Sequence, residues 1–401
     1  MKGPEVIVVG AGPAGSLTAR LLALAGAEVL LLDRARFPRP KPCGDCLSAA
    51  ATGLLDRAGL LDRVRDAGAA AIERWDIIAP DGAVASGRFP DRPALALERR
   101  LLDAVLLDAA REAGARVRIA HVTGLHRDEA GRVRGVVTRA GEILTARLVV
   151  GADGLRSVVA RELGVIRRPP KLRKVSLTAH VPVPVAMRHG EMHVLEGACV
   201  GFAPAGPDRA NLTLVVDAAG TEELRRLGRE PFFRSRIRRV PVLRDRFDDI
   251  PFGPLLASGP FDWPTRAPVA HGAALVGDAA GYYDPFTGQG IYQAMAAAER
   301  LAGAVAPALV RGGTDRELDR GLRAYARAKG RLTRPARRVQ RVVEAVVSRP
   351  GVAGVVLGRL AVASAAMDRL IEVTGDLRPP GSLLSPVVVS SLMFPPDPET
   401  A

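Results

Sequence analysis

The segment GAGPAG, between an apolar run and a helical pattern, has the residue types and spacing that bind a phosphate group. Gly10 permits a tight turn, Gly12 allows the backbone to approach a pyrophosphate, and Gly15 allows the following helix to pack on the strand. That helix would present free N–H groups and its positive dipole end to the anion. Asp33 lies 18 residues after Gly15, where its carboxylate can accept hydrogen bonds from ribose hydroxyls. The pattern predicts a site for a dinucleotide, NAD(P) or FAD.

Two later segments also read as a buried strand that runs into a polar turn. They are VVGADGLRS at 149–157 and ALVGDAAGYYDPFTGQGI at 274–291. With GAGPAG, they resemble the three fingerprints of the FAD-dependent group that contains the para-hydroxybenzoate-hydroxylase-like monooxygenases and the geranylgeranyl reductases. The resemblance extends from Val6 to about Ala306 and implies that the bound dinucleotide is FAD.

This resemblance also implies roles for individual residues. Asp278 would hydrogen-bond a ribityl hydroxyl of FAD, and Asp153 would lie behind the pyrophosphate. Arg99 would reach the cofactor, with Arg100 as the alternative if the register differs by one. The GQG turn opens a helix whose N-terminus could stabilise negative charge on the reduced flavin. The residues expected to bind the cofactor are Gly10, Gly12, Pro13, Ala14, Gly15, Asp33, Arg34, Cys43, Gly44, Arg99, Asp153, Gly154, Gly277, Asp278, Pro285, Gly288, Gly290 and Ile291.

The loop RPKPCGDCLS, residues 39–48, resembles the geranylgeranyl reductase branch more than the hydroxylases. In that branch the loop lies near flavin and substrate, so Cys43 is the candidate catalytic residue, as a weak acid. The alternatives are a shape-determining residue or a small buried hydrophobe. Cys43 and Cys46 also form a CxxC, but a redox dithiol would need a second nucleotide-binding domain. No second GxGxxG occurs in residues 150–280, so NAD(P)H, if it is the electron donor, would bind transiently on another surface.

Histidines give a weaker signal. His189 and His193 are four residues apart in a segment that reads as extended, and we predict no metal site there. His180, His193 and His271 are candidate acids or ordinary structural histidines.

Six arginines near the C-terminus step by three or four residues and would share one face of a helix. Gly330 and Pro335 are expected to kink or interrupt that helix. The face is either solvated or in contact with anionic lipid or a substrate diphosphate. The six are Arg323, Arg327, Arg331, Arg334, Arg338 and Arg341.

Composition limits the class of protein. Of the 401 residues, 48% are hydrophobic and 25% charged, which indicates a globular chain with a large core. The net charge of +14 would attract anions, but only 4% of residues are aromatic, and we expect no nucleic-acid partner.

Three cysteines cannot form a disulfide framework, which favours a cytoplasmic setting. We predict no signal peptide and no transmembrane helix, because the longest uncharged stretch, 379–396, carries five prolines. Peripheral contact with an anionic membrane remains open.

The predicted fold class is α/β, with a Rossmann-like FAD-binding domain of the para-hydroxybenzoate hydroxylase type, an inserted antiparallel β-sheet substrate domain and a helical C-terminus. The predicted FAD-binding segments are 1–72, 97–165 and 269–312. The substrate domain is assigned to 73–96 and 166–268, and the helical region to 313–401.

Three functions are compatible with these features. The first is a geranylgeranyl-reductase-like enzyme that reduces C=C bonds of a small hydrophobic isoprenoid or lipid-like substrate. The second is an NAD(P)H- and O2-dependent monooxygenase that hydroxylates an aromatic or polyketide substrate. The third is a non-catalytic FAD-fold protein that binds lipid or a partner.

Overall fold

The computed structural model describes residues 3–393 apart from positions 90, 184, 248, 249 and 251. In chain order the strands are β1 Val6–Val9, β2 Val29–Asp33, β3 Cys46–Leu47, β4 Ala70–Ile72, β5 Arg74–Ile78, β6 Val84–Arg88, β7 Ala94–Ala96, β8 Arg116–Ile119, β9 Val122–Arg127, β10 Val133–Thr138, β11 Ile143–Thr145, β12 Leu148–Gly151, β13 Val175–Pro182, β14 His189–Leu195, β15 Ala198–Pro204, β16 Arg209–Val216, β17 Leu256–Ser258, β18 Val269–Ala270 and β19 Ala273–Leu275. The α-helices are α1 Pro13–Leu24, α2 Ala49–Arg57, α3 Leu61–Asp66, α4 Arg99–Glu112, α5 Val158–Glu162, α6 Ala218–Leu227, α7 Arg229–Ile237, α8 Pro241–Phe247, α9 Gly290–Val310, α10 Asp315–Val347, α11 Pro350–Val362, α12 Ser364–Thr374 and α13 Pro386–Met393. Two 3-10 helices, Gly277–Ala280 and Pro380–Leu384, are also present.

A six-stranded sheet positions the three polar turns. Its order is β18-β19-β12-β1-β2-β8, and every neighbouring pair except β18 with β19 is parallel. Both faces are covered, which explains the continuous apolar runs VIVV in β1 and LVVG in β12. Helices α1, α4, α9 and α10 pack on one face, and the antiparallel sheet β11-β10-β9 packs with α5 on the other. Because β1, β12 and β19 are parallel, the turns that follow them meet at one edge.

A seven-stranded sheet with the order β17-β13-β16-β15-β14-β5-β6 lies beside this edge. It is antiparallel except for the parallel pair β14 and β5. The apolar side chains on one face of β13, β15 and β16 pack against α7 and α8. The alternate residues of the same strands face the first sheet. All seven strands fall within the ranges 73–96 and 166–268. A small sheet, β3-β7-β4, links the two larger ones.

The helical C-terminus closes the molecule. Helices α11 and α12 pack on β5 and β6, with Leu357, Met367 and Ile371 buried in the contact. The predicted fold class is therefore confirmed: a parallel α/β sheet, an inserted and mostly antiparallel sheet, and a helical C-terminal region. Among the residues that the structure describes, no single helix has the length and apolar composition of a membrane span. The pair α10 and α11, bent by 112°, meets those criteria only when taken together.

The expected interruption of the arginine-bearing helix at Gly330 or Pro335 does not occur. Helix α10 continues as one helix of 33 residues through both positions. A proline inside a helix removes one backbone hydrogen bond, but buried side chains on both sides of it, such as Tyr325 and Val339, keep α10 packed along its length. The helix begins with a capping box between Thr314 and Glu317.

Candidate functional site

A cavity of about 1200 Å³ lies between the two large sheets. Single-ligand pockets usually measure about 300–1,000 Å³, so this cavity has room for a dinucleotide and a substrate together. The structure brings every residue predicted to bind the cofactor to its wall, except Gly15, which lies just behind it. Arg100 instead pairs with Glu98 at 2.7 Å with its side chain 42% exposed, so Arg99 is the arginine of this pair that faces the cavity.

The first glycine turn has a packed side and an open side. A Cβ on Gly15 would lie 1.8 Å from the carbonyl oxygen of Gly10, and one on Gly10, whose φ is +100°, would lie 2.4 Å from that of Ala152. A Cβ on Gly12 would meet nothing closer than the guanidinium groups of Arg39 and Arg99, both at 3.9 Å. The open side of the turn therefore faces cations, as a pyrophosphate site requires.

Asp33 stands at the end of β2, next to this turn. Its Oδ2 accepts a hydrogen bond from the Ala11 N–H at 2.8 Å, and its Oδ1 accepts one from the Ala35 N–H at 2.9 Å. Each carboxylate oxygen has a further lone pair, which remains for the ribose hydroxyls of a bound nucleotide. The same carboxylate therefore holds the glycine turn and offers acceptors to the cavity.

Arg99, the first residue of α4, is 8% exposed. Its Nε and Nη2 donate to the two carboxylate oxygens of Asp103 at 2.8 and 2.9 Å. Arg39 Nη1 lies 3.4 Å from the same carboxylate. Burial lowers the pKa of Lys41, against the attraction of Asp278. Burial removes water from these positive charges, which is unfavourable. A bound phosphate would replace the lost solvation with an opposite charge.

The third turn contains Asp278 on the 3-10 helix Gly277–Ala280. Burial raises the pKa of Asp278, while the positive charges of Lys41 and Arg99 act in the opposite direction. Two residues of α10 hold this turn from behind: Tyr325 Oη donates to the Leu275 carbonyl at 2.6 Å, and Lys329 Nζ donates to the Ala280 carbonyl at 3.0 Å. A helix outside the predicted cofactor segments thus fixes the position of Asp278.

The GQG turn begins α9 at Gly290. Gln289, directly before it, is 2% exposed, and its Nε2 donates to Asp376 Oδ1 at 2.7 Å. Burial raises the pKa of Asp376 well above its ordinary value. The N-terminus of α9 is therefore held against the C-terminal helices, and its free N–H groups lie at the cavity wall beside Gly288 and Ile291.

Asp153 organises the turn after β12. Its Oδ1 accepts from Ser157 Oγ at 2.6 Å, and its Oδ2 accepts from the Val158 N–H at 2.7 Å. The carboxylate therefore caps α5 and fixes the loop in which Gly154, with φ of +80°, borders the cavity.

The cysteine loop closes one side of the cavity. Burial raises the pKa of the Cys43 thiol, although nearby Arg99 lowers it in part. Burial also raises the pKa of Cys46, whose Sγ donates to the Gly44 carbonyl at 3.1 Å. Both cysteines are free thiols. Because thiolates carry out disulfide exchange, the raised pKa values of both thiols disfavour a redox dithiol at this position.

The exposed face of the seven-stranded sheet forms the wall opposite the glycine turns. Most of this wall is apolar or small, and it includes Trp75, Ile77, Met192, Cys199, Gly201, Ala203 and Val215. Four polar side chains on β13 and β16 interrupt this apolar wall: Ser176, Thr178, Asn211 and Thr213. The cavity therefore joins a charged end to a hydrophobic end.

The histidines considered above lie outside the cavity wall. His180 Nε2 bonds Asp45 Oδ2 at 2.5 Å, His193 Nε2 bonds Glu191 Oε2 at 3.0 Å, and His271 Nδ1 bonds Asp319 Oδ2 at 2.6 Å. His189 and His193 both face Glu191 on the extended strand β14. Within the described ranges, no group of three or more acidic, histidine or cysteine side chains could hold a metal ion.

Sequence reasoning missed several residues of this site. Arg39 and Lys41 were visible as cations in a proline-rich loop beside the glycine turn, and Asp103 as the acid four residues after Arg99. Asn211 and Thr213 were visible as polar residues at alternate positions of an otherwise apolar strand. No local sequence pattern indicates that Tyr325 and Lys329 hold the Asp278 turn or that Asp376 holds the N-terminus of α9.

Comparisons with known proteins agree with this geometry. The profile of a family described as FAD binding domain matches residues 4–236. Digeranylgeranylglycerophospholipid reductase 2 of Methanopyrus kandleri is 32% identical over 316 residues, which cover 75% of this chain and 76% of that protein. The menaquinone reductase of Mycobacterium tuberculosis is 37% identical over 165 residues, 40% of each chain. Among solved structures, the flavin-dependent brominase Bmp2 superimposes with a TM-score of 0.78 at 20% identity, covering 93% of this chain and 94% of that one.

Proposed function

Because this chain belongs to the geranylgeranyl reductase family of FAD-dependent oxidoreductases, we propose that it reduces C=C bonds of an isoprenoid or related lipid. The observation that carries the proposal is the continuity of the cavity. One end presents the glycine turn, Arg99 and Lys41 to a dinucleotide, and the other presents an apolar sheet face to a lipid chain. A site for a polar substrate would require more buried hydrogen-bonding groups on that face.

Once bound and reduced by two electrons, FAD would supply the hydride for one carbon of the double bond and would itself be left oxidised. The chain must supply the proton for the other carbon, and we assign it to Cys43 Sγ. Burial raises the pKa of this thiol, so it holds its proton at neutral pH. Arg99 lies beside the sulfur and would stabilise the thiolate that remains after the proton has left. The apolar wall excludes water that would otherwise compete as a proton source.

The electron donor is a separate part of the proposal. We propose that NAD(P)H reduces the flavin transiently from the open side of the cleft, since the chain has no second GxGxxG between residues 150 and 280. Reduction of the bound flavin by NADH or NADPH under anaerobic conditions tests this step. Absence of reduction by either nucleotide would assign the role to another donor.

We also propose that the protein acts at the cytoplasmic face of an anionic membrane, where a lipid substrate resides. The six arginines named above all lie on the exposed side of α10, and no ion pair with a described residue neutralises them. The exposed Val342, 65% accessible, lies on α10 one turn after Arg338, and Val355, 71% accessible, lies on the next helix, α11. A basic face with apolar side chains is the pattern of an interfacial contact.

Vesicle sedimentation tests this contact. We expect binding to phosphatidylglycerol vesicles at low salt, release at high salt, and little binding to phosphatidylcholine. The double variant R331E/R338E should lose binding, whereas R225E/R226E, which changes the same charge on α6, should keep it. If both variants lost vesicle binding equally, binding would depend on net charge alone, and the proposed contact through α10 would be wrong.

The experiment for the reaction itself is an anaerobic incubation of reduced holoenzyme with prenyl lipids, analysed by mass spectrometry. We expect products that gain two hydrogen atoms per reduced double bond. Oxygen-dependent gain of one oxygen atom on a phenol, with no reduction of prenyl lipids, would favour the hydroxylase function instead. A colourless protein that cannot be reconstituted with FAD would contradict both.

A further inference from the structure

Three side chains on the cavity face of β13 and β16 form a hydrogen-bonded row. Thr178 Oγ1 and Thr213 Oγ1 are 3.0 Å apart on directly paired residues of the two strands. Thr213 Oγ1 lies 2.7 Å from Asn211 Oδ1. Asn211 Nδ2 in turn lies 2.7 Å from the Cys43 carbonyl oxygen and 2.6 Å from Asp45 Oδ2. The row therefore connects the substrate sheet to the cysteine loop.

The direction of every bond in this row follows from its fixed end. A backbone carbonyl can only accept, so the amide nitrogen of Asn211 must face the carbonyl of Cys43. The Asp45 carboxylate agrees, because it also accepts from the Arg99 N–H at 3.0 Å. Asn211 is 2% exposed, which leaves its amide no other arrangement that satisfies these partners. Its Oδ1 therefore faces Thr213 as an acceptor.

Thr213 has one hydroxyl proton, and Asn211 Oδ1 takes it. The contact between the two threonines must then be a donation from Thr178 to Thr213. One of the two lone pairs of the Thr213 oxygen accepts the proton of Thr178, and the second lone pair has no partner within the row. Thr213 is partly exposed and lines the cavity, whereas Thr178 is 1% exposed. Toward a ligand, the row presents an acceptor and no donor.

We propose that Thr213 accepts a hydrogen bond from the substrate, so that the cleft selects a lipid with an O–H or N–H group at this position over one with an ether or an ionised phosphate there. This inference rests on the proposed function and narrows its substrate class. Thr213 is paired with Gly201 on one side and with Thr178 on the other, and neither offers a free donor at its position. The hydroxyl of Ser176 lies one pair further along the wall, opposite Val215. A substrate acceptor would face the Thr213 lone pair without a proton between them.

The test compares the binding of geranylgeraniol and its methyl ether to the oxidised holoenzyme, followed by the change in flavin absorbance. No turnover is needed. Wild-type protein should bind the alcohol roughly tenfold more tightly, the effect of one hydrogen bond against an unsatisfied polar contact. T213V should lose this preference and T213S should keep it. T178V removes a hydroxyl from the same pair but leaves the Thr213 acceptor in place, and it should keep the preference.

N211L provides the decisive variant, because it frees the Thr213 proton. Thr213 can then donate to the ether, and the preference for the alcohol should shrink or reverse in protein that keeps its flavin and its cooperative melting transition. Should N211L lose its flavin, the contrast between T213V and T178V decides. Equal affinity of wild type for the two probes would overturn this inference and leave the proposed function standing. If neither compound binds or is reduced, both the proposed function and this inference fail.

Discussion

Arg99 and Asp103 form a buried ion pair one helical turn apart on α4, with parallel hydrogen bonds of 2.8 and 2.9 Å. Asp103 is fully buried and Arg99 lines the cofactor cleft. The pair fixes the plane of the guanidinium beside the open side of the glycine turn. An unpaired guanidinium would be costly to bury at this position. The pair with Asp103 offsets that cost, so that the positive charge of Arg99 is available to a ligand.

The variant D103N should therefore lose stability by about 3–5 kcal/mol, the usual cost of leaving a buried charge without its partner. Because a bound pyrophosphate supplies a replacement anion, we expect this loss to be smaller with saturating FAD than without it. Urea unfolding with and without FAD measures both values. An identical loss in the two conditions would mean that Arg99 does not meet the phosphates. R100A serves as the control, because the Arg100 side chain is 42% exposed in its pair with Glu98, and its stability should change by less than about 0.5 kcal/mol.

Gly12 and Gly15 should respond differently to the same substitution. G15A places a Cβ 1.8 Å from the Gly10 carbonyl, so we expect strong destabilisation of the βαβ unit. G12A adds a methyl group where φ is −74° and the space is open. It should keep its stability within about 0.5 kcal/mol but lose FAD, because the methyl group occupies the phosphate position. Melting temperature and flavin content separate the two, and a G12A protein with full flavin content would contradict this placement.

Replacement of Cys43 tests the source of the proton. C43A should slow product formation by about a hundredfold, within the usual contribution of a general acid, without loss of FAD. In wild-type protein the rate should stay level around neutral pH and fall only at alkaline pH, since burial raises the pKa of this thiol. C46A, which would disable a dithiol equally, should cost far less. Equal defects in C43A and C46A would restore the dithiol hypothesis.

Lys329 predicts an unusual dependence of stability on pH. Burial lowers its pKa in the folded protein to about 7, so from about pH 7 up to its ordinary pKa the unfolded chain binds more protons than the folded one. Stability must therefore rise with pH in this window as the folded lysine becomes neutral. In K329M this contribution is absent, and the stability of wild type relative to K329M should increase from pH 7 to pH 10. A constant difference across that range would show that Lys329 is charged in the folded state.

The strands of the parallel sheet and the three turns that follow them could be predicted from the sequence, because each of them has a local sequence pattern. Apolar runs such as VIVV and VLLLD, each followed by glycine or aspartate, predict buried strands that end in polar turns. Asp33, Asp153 and Asp278 belong to such turns, and the structure brings all three to one cavity. The interruption expected at Gly330 or Pro335 followed from local rules for glycine and proline, and the packing of α10 along its length overrides them.

The remaining parts of the site depend on contacts between distant segments. Asn211 meets the cysteine loop 168 positions away, and Lys329 meets Ala280 49 positions away. No periodicity or motif specifies which strand of the second sheet faces which loop of the first. The identities of these residues were therefore readable, while their partners were not.

The most direct test of the account is a single-turnover experiment on the purified holoenzyme. The bound flavin is reduced anaerobically, geranylgeranyl lipid is added, and the visible absorbance of the oxidised flavin is followed. We expect the yellow colour to return in proportion to the double bonds reduced, without oxygen, and C43A to return it far more slowly. A flavin that stays reduced with every prenyl lipid and reoxidises only when oxygen and a phenol are admitted would contradict the account.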